Sequence, residues 1–156
     1  MITVLVKAAA AVNELASKAL FAAAVEKLPQ ELLDLRGWRI NSKEYPVLDV
    51  SFIKEADKGR VKMLCDDWDE LPPSIVFLDP ETGAELLAVA PDPAGVINNS
   101  PHPITGRPFI CSAGCSREYH THSSHIGDVW DNYKNKAGFD LTGILTKVRR
   151  AWKKSL

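Results

Sequence analysis

Residues 8 to 28 are drawn largely from alanine, leucine, glutamate and lysine, all strong helix formers, and Pro29 supplies a stop just beyond them. Val12, Leu15, Ala19 and Ala23 recur at helical spacing, which predicts a first helix with one apolar stripe packed on a sheet. A shorter helical piece is expected from Gln30 to Leu35, and at Gly37 the period changes. Leu48, Val50 and Phe52 alternate with Asp49 and Ser51, the pattern of a half-buried antiparallel strand. Asp57-Lys58-Gly59 has turn chemistry, after which Val61, Met63 and Cys65 alternate again. Cys65 falls on the inward positions of that strand and reads as a small core hydrophobe.

Pro72-Pro73 precedes Ile75 to Leu78, a continuous apolar run that fits a strand covered on both faces, and residues 79 to 83 (Asp-Pro-Glu-Thr-Gly) form a turn. From Ala90 to Gly106 the chain reads as a long stiff loop, because five prolines fall between Pro91 and Pro108. Trp130 and Tyr133 are placed to anchor a helix to the core. The pattern then returns to helix: Leu141, Ile144, Leu145, Val148 and Trp152 share one face, with Asp140 or Thr142 as cap. Lys147, Arg149, Arg150, Lys153 and Lys154 lie elsewhere on it, as a solvated basic end that suits the helix dipole. The elements together predict an α+β fold: an N-terminal helix, a four-stranded antiparallel meander and C-terminal helices.

With 156 residues the chain fits a single domain, 1–156, with 1–7 as a flexible lead-in. Its 19 basic and 20 acidic side chains balance to a net charge of -1, so no nucleic-acid or anionic-membrane footprint is expected. Lys7, Asn13, Glu14 and Lys18 interrupt the apolar N-terminal stretch, and no basic segment precedes it, so neither a membrane span nor a signal peptide is expected. An odd number of cysteines, three, argues against a disulfide framework and for a reducing, cytoplasmic setting.

Chemistry concentrates between His102 and His125, which hold all four histidines and two of the three cysteines. Two kinds of site use these groups. In an extended segment Glu118, His120 and His122 project to one face, and Cys111 or Cys115 arriving from the preceding loop completes a tetrahedral zinc shell. Were the segment helical, Glu118 and His122 would align and His120 would point away. Cys115 and His125 are rival ligands. Neither C-x-x-C nor H-E-x-x-H spacing is present, and the alternative is a polar cluster without metal, in which Tyr119 and the histidines hydrogen-bond one another and backbone groups.

The other use is an acyl-carrying nucleophile, which needs a lowered pKa or an adjacent base. Cys111 follows the apolar Phe109-Ile110, as an acceptor at a strand end would; Arg107, Arg117 and the histidines offer positive character, and Ser112, Ala113 and Gly114 leave room for a partner's tail. Ser123 and Ser124, between His122 and His125, are a second candidate, able to carry an oxyester if Cys111 is buried or structural.

Taken in order, a helix, a strand meander, the Asp69-Glu-Leu-Pro-Pro73 segment, a long loop, His102-Pro103 and then Cys111 resemble the ubiquitin-conjugating enzymes, with their YPF-x-x-PP segment and an HPN motif about ten residues before the acceptor cysteine. Ile104 stands where that family has its oxyanion-stabilising asparagine, and Asn98 or Asn99 lies upstream on the same loop to replace it. His102 would brace the loop, as the family's histidine does. The segment from Cys111 to His122, with the following His125-Ile-Gly-Asp-Val-Trp-Asp-Asn-Tyr133, is also similar to the bacterial metal-binding family known by the letters CEHH, which implies Cys111, Glu118, His120 and His122 as metal ligands. That family sits in prokaryotic ubiquitin-like gene neighbourhoods, so the resemblance implies a ubiquitin-like protein and its activating enzyme as partners.

The function expected from these resemblances is a transferase of ubiquitin-like conjugation, which accepts the ubiquitin-like C-terminus as a thioester or an oxyester. Cys111, Ser123, Ser124, His102 and His125 form its candidate catalytic set. A non-catalytic zinc-binding docking module is the alternative. A zinc hydrolase with Glu118 as base is a third, and no nucleotide cofactor is expected.

Overall fold

The computed structural model describes residues 2–54, 58–90 and 92–155, with side chains described from residue 13 to residue 152. Helix α1, Ile2–Glu26, starts earlier than its composition suggests and ends before Pro29. Its buried face is not the predicted one. Ser17, Phe21 and Ala24, with Leu28 just beyond the helix, face the core, whereas Leu15 is 69% exposed and Ala19 and Ala23 are exposed too; the side chain of Val12 lies outside the described residues. In an alanine-rich helix several stripes have similar apolar character, and the one bulky ring decides among them: Phe21 packs edge-on against Tyr45 at 5.6 Å.

Helix α2, Gln30–Arg36, closes on Gly37, whose φ of +67° is the left-handed conformation that a helix C-cap requires and glycine adopts at least cost. Four strands follow as an antiparallel meander: β1, Trp38–Ser42; β2, Val47–Phe52; β3, Gly59–Leu64; and β4, Ser74–Leu78. Asp57, in the predicted β2–β3 turn, lies outside the described residues. The register sets Val50 opposite Val61 and Val61 opposite Phe77, so the inward residues of three strands stack in one layer. Cys65 follows β3 fully buried, as expected, and burial pushes its thiol up to about 12.

Strand β2 is not half-buried: Asp49 and Ser51 are covered as well. Asp49 accepts both Arg60 Nε at 2.9 Å and Arg60 Nη2 at 2.8 Å, and Asn41 Nδ2 donates to Asp49 Oδ1 at 3.0 Å and to Ser51 Oγ at 2.7 Å. The polar face of the strand thus makes its own closed network, which is what allows it to leave water. Strand β4 is buried throughout, as its unbroken apolar run requires. Its outer edge is filled by Leu86, whose N–H donates to Phe77 O at 2.9 Å, and by the side chain of Glu118.

Within the loop after residue 84, β5, Ile97–Asn98, pairs with β6, Phe109–Ile110, an irregular stretch bringing two residues on each side into register. Helix α3, Arg117–Thr121, comes next, and α4, Leu141–Ser155, closes the chain. The predicted face of α4 is the buried one: Leu141, Ile144, Leu145 and Val148 are fully covered, and Trp152 packs edge-on to Phe77 at 5.0 Å. Asp140 is its cap, accepting from Gly143 N at 2.8 Å. The basic residues are less solvated than expected, since Lys147 Nζ lies 3.5 Å from the Phe139 ring centre and Arg149 stacks over Phe52; the side chains of Lys153 and Lys154 lie outside the described residues. Trp130 anchors a 3-10 turn, Trp130–Asn132, rather than a helix, with its Nε1–H donated to Asp69 O at 2.7 Å. No helix among the described residues is long and apolar enough to cross a membrane.

Candidate functional site

The site is assembled where β6 ends. Cys111 N–H donates to Val96 O at 2.6 Å, which continues the small sheet and leaves the Cys111 side chain half-buried at its edge. Ser116 then caps α3: its hydroxyl accepts from Tyr119 N at 3.2 Å while donating to Ile110 O at 2.6 Å, fixing the helix against β6. The chain leaves α3 at His122, which is extended and whose Nδ1 accepts from Ser124 N at 3.1 Å, nucleating the 3-10 turn Ser123–His125. That turn returns His125 to the cysteine, with Nε2 at 3.6 Å from Cys111 Sγ.

The segment carrying Glu118 and His120 is helical, and the extended face that would have aligned three ligands does not form. Glu118 is 3% exposed and turned into the protein, where it accepts a short hydrogen bond from Ser74 Oγ–H and a second from Ile75 N at 3.3 Å. Burial pushes its carboxyl above the usual range, against the opposing effect of these bonds. His120 has both ring nitrogens engaged, Nε2 accepting from Gly114 N at 3.0 Å and Nδ1–H donating to Asp128 O at 2.6 Å. Glu118 and His120 are therefore committed inside the fold, and the four expected ligands are not gathered into one shell. Among the described residues no three of His, Cys, Asp and Glu converge as a metal site.

His102 is 1% exposed, also with both nitrogens engaged: Nδ1 accepts from Ile104 N at 3.1 Å, and Nε2–H donates to Glu118 O at 2.9 Å. It braces the loop on α3 and packs edge-on against Phe109 at 5.0 Å, so it is a strut and offers no free nitrogen to Cys111. Cys115 is fully buried, with its thiol pushed up to about 12 by burial, and is core. Arg107 faces Glu85 at 3.2 Å and Arg117 faces Asp66 at 3.1 Å, so neither is aimed at the cysteine. Burial raises the Cys111 thiol above its ordinary value, which leaves a nearby base as its means of activation. Of the three small residues after Cys111, Ser112 and Ala113 are half-buried and Gly114 is packed inside, where a Cβ would lie 2.5 Å from the Phe139 ring and 2.8 Å from that of Tyr133. Ser123 and Ser124 are exposed. Asn98 Oδ1 accepts from Ser100 N and Asn99 Oδ1 from Val89 N, each at 2.9 Å, while Ile104 is 73% exposed on its turn.

Sequence reasoning placed Tyr119 only in the hydrogen-bonded cluster with the histidines and gave Asp128 no role. The Tyr119 ring stacks on His125 at 4.2 Å, with planes 13° apart, and its hydroxyl donates to Asp128 Oδ2 at 2.8 Å. That bond pushes the Tyr119 hydroxyl up to about 12 and, with a second from Tyr133, holds Asp128 below the usual carboxylate range. No periodic signal points to this pair, because the stack crosses the break at His122 between two helical turns. The arrangement can hold one thiol against one imidazole nitrogen at a half-exposed position, which is the minimum equipment for nucleophilic acyl chemistry. Compared with known proteins, the chain matches no family model and no curated protein.

Proposed function

We propose that this chain is an acyl-carrying, ubiquitin-conjugating-like component of a cytoplasmic bacterial pathway for a ubiquitin-like protein, with Cys111 as acceptor and His125 as its base. The observation that carries the reading is the 3.6 Å approach of His125 Nε2 to Cys111 Sγ at the end of β6. The order of elements supports it too: helix, four-stranded meander, long loop, then cysteine. In the transfer, His125 Nε2 takes the Cys111 thiol proton as Sγ attacks the thioester carbonyl on the activating enzyme. A new carbon–sulfur bond forms at Cys111, the old one breaks, and the departing thiolate recovers a proton from His125. With Ile104 exposed where the resemblance has an asparagine, transfer onward to free lysine is slow.

The test is to incubate the protein with its activating enzyme, ATP and ubiquitin-like partner. The expected product is an adduct cleaved by reductant, absent in Cys111→Ala and slowed about a hundredfold in His125→Ala. An adduct that survives reductant, yields to hydroxylamine and maps to Ser123 or Ser124 moves the acceptor role to the serines. No adduct with the genuine partners, and conjugation intact in Cys111→Ala, overturns the carrier reading in favour of a docking module.

A further inference from the structure

We infer that Tyr119, clamped by Asp128, positions the His125 imidazole against Cys111 and thereby sets the reactivity of the thiol. The inference rests on the reading of Cys111 and His125 as acceptor and base. His125 stands on a 3-10 turn whose neighbours Ser123, Ser124, Ile126 and Gly127 are all exposed, so the turn has little packing of its own to orient a ring. The Tyr119 ring supplies a wall, lying flat against the imidazole at 4.2 Å. His122 is the other ring beside it, 5.8 Å away and tilted.

Tyr119 is fixed in turn. Its hydroxyl donates to Asp128 Oδ2 at 2.8 Å, and Tyr133 donates to both oxygens of the same carboxylate at 2.8 and 2.9 Å. The carbonyl of Asp128 accepts from His120 Nδ1–H at 2.6 Å, and His120 Nε2 accepts from Gly114 N, three residues beyond Cys111, at 3.0 Å. The contacts close a ring: from the Cys111 loop through His120 to Asp128, on to Tyr119, to His125 and back to Cys111. Base and acceptor are thereby held by one network, although one sits on a strand end and the other on an exposed turn. Such a network fixes a near-attack distance that a free loop would sample only part of the time. Tyr119 and Asp128 touch no reacting atom and are positioning residues.

Alkylation of the full-length protein by iodoacetamide, followed at the Cys111 peptide by mass spectrometry, tests this directly, since Cys65 and Cys115 are fully buried. Tyr119→Leu is expected to slow labelling about tenfold, and Tyr119→Phe, which keeps the stacked ring but loses its bond to Asp128, about threefold. Tyr119→Leu added to His125→Ala is expected to slow labelling no further, because the effect runs through the imidazole. A merely structural role predicts the opposite sign, since loosening would expose the half-buried thiol. Labelling that is unchanged or faster in folded Tyr119→Leu overturns the inference. Should that variant not fold, Asp128→Ala leaves the ring in place but unclamped: about threefold slowing or more supports the inference, and an unchanged rate overturns it. No activating enzyme enters this assay. A failed adduct with an intact labelling series therefore refutes the acyl-carrier function alone, and an adduct with a flat series refutes the positioning alone.

Discussion

Substituting Glu118 by alanine removes the acceptor for two buried donors at once, the Ser74 hydroxyl and the Ile75 N–H. Each stranded donor costs about 1–3 kcal/mol, so a loss of about 4 kcal/mol is expected, a large part of the roughly 5–15 kcal/mol that holds a domain folded. For a chain of this size about 2–4 °C of melting temperature goes with each kcal/mol, which places the drop at about 8–16 °C. Glu118→Gln should behave differently. Its carbonyl can accept the Ile75 N–H, its amide can donate to Ser74 Oγ, and the serine hydrogen is free to rotate, so the change at neutral pH is expected to stay within about 1 kcal/mol. The pH dependence has a definite sign. Burial raises the Glu118 carboxyl above its ordinary 4.5, so its stabilisation is complete below that value and is lost as pH rises through the higher folded value. Glu118→Gln has no such loss and should gain on the native protein as pH is raised from about 4 to 8. Urea unfolding of the three proteins across that range is the assay. A cost of less than about 1 kcal/mol for Glu118→Ala, or equal damage from Ala and Gln, would refute its role as the buried acceptor for Ser74 and Ile75 and return Glu118 to the metal or hydrolytic readings.

The corrected phase of α1 predicts that Phe21→Ala costs about 3–5 kcal/mol in chemical denaturation while Leu15→Ala stays within about 0.5 kcal/mol; similar values for both would restore the other stripe. Arg60→Ala strands the largely buried Asp49 and should cost about 3 kcal/mol at pH 7. Burial tends to raise Asp49, but the bonds from Arg60 and Asn41 prevail and hold it below its ordinary 3.8, so the stabilisation is present above that value and lost as pH falls through the lower folded one; the penalty of Arg60→Ala should shrink accordingly in acid. Finally, the acceptor reading expects Cys111 to be alkylated at the same rate with and without a chelator, measured together with elemental analysis. About one equivalent of zinc, with a thiol that becomes reactive only after chelation, would instead establish the zinc-binding docking module.

What the chain's pattern alone determined is the set of elements whose inward positions are strongly apolar. Val61, Met63 and Cys65 on every second residue and Leu141, Ile144, Leu145, Val148 and Trp152 at helical spacing each give one face that must avoid water, the unbroken Ile75 to Leu78 gives two, and all of them are buried. The concentration of cysteine and histidine between His102 and His125 was likewise readable, as was the placement of Cys111 after an apolar strand end. Only tertiary structure decided the rest. In α1 the alanines make the stripe ambiguous, and the distant Tyr45 selects Phe21. Asp49 and Ser51 look solvent-facing by alternation, yet Arg60, 11 residues from Asp49, supplies the partner that makes burial tolerable. Glu118 has the residue type of a metal ligand, but Ser74, 44 residues earlier, takes it into the fold. Cys111 and His125 meet across 14 residues and two helical turns, a path with no period for a pattern to carry. Hydrophobic periodicity is local because each side chain separately gains by leaving water; a polar group is satisfied only by a specific partner at a specific distance, and that partner is fixed when the chain closes on itself.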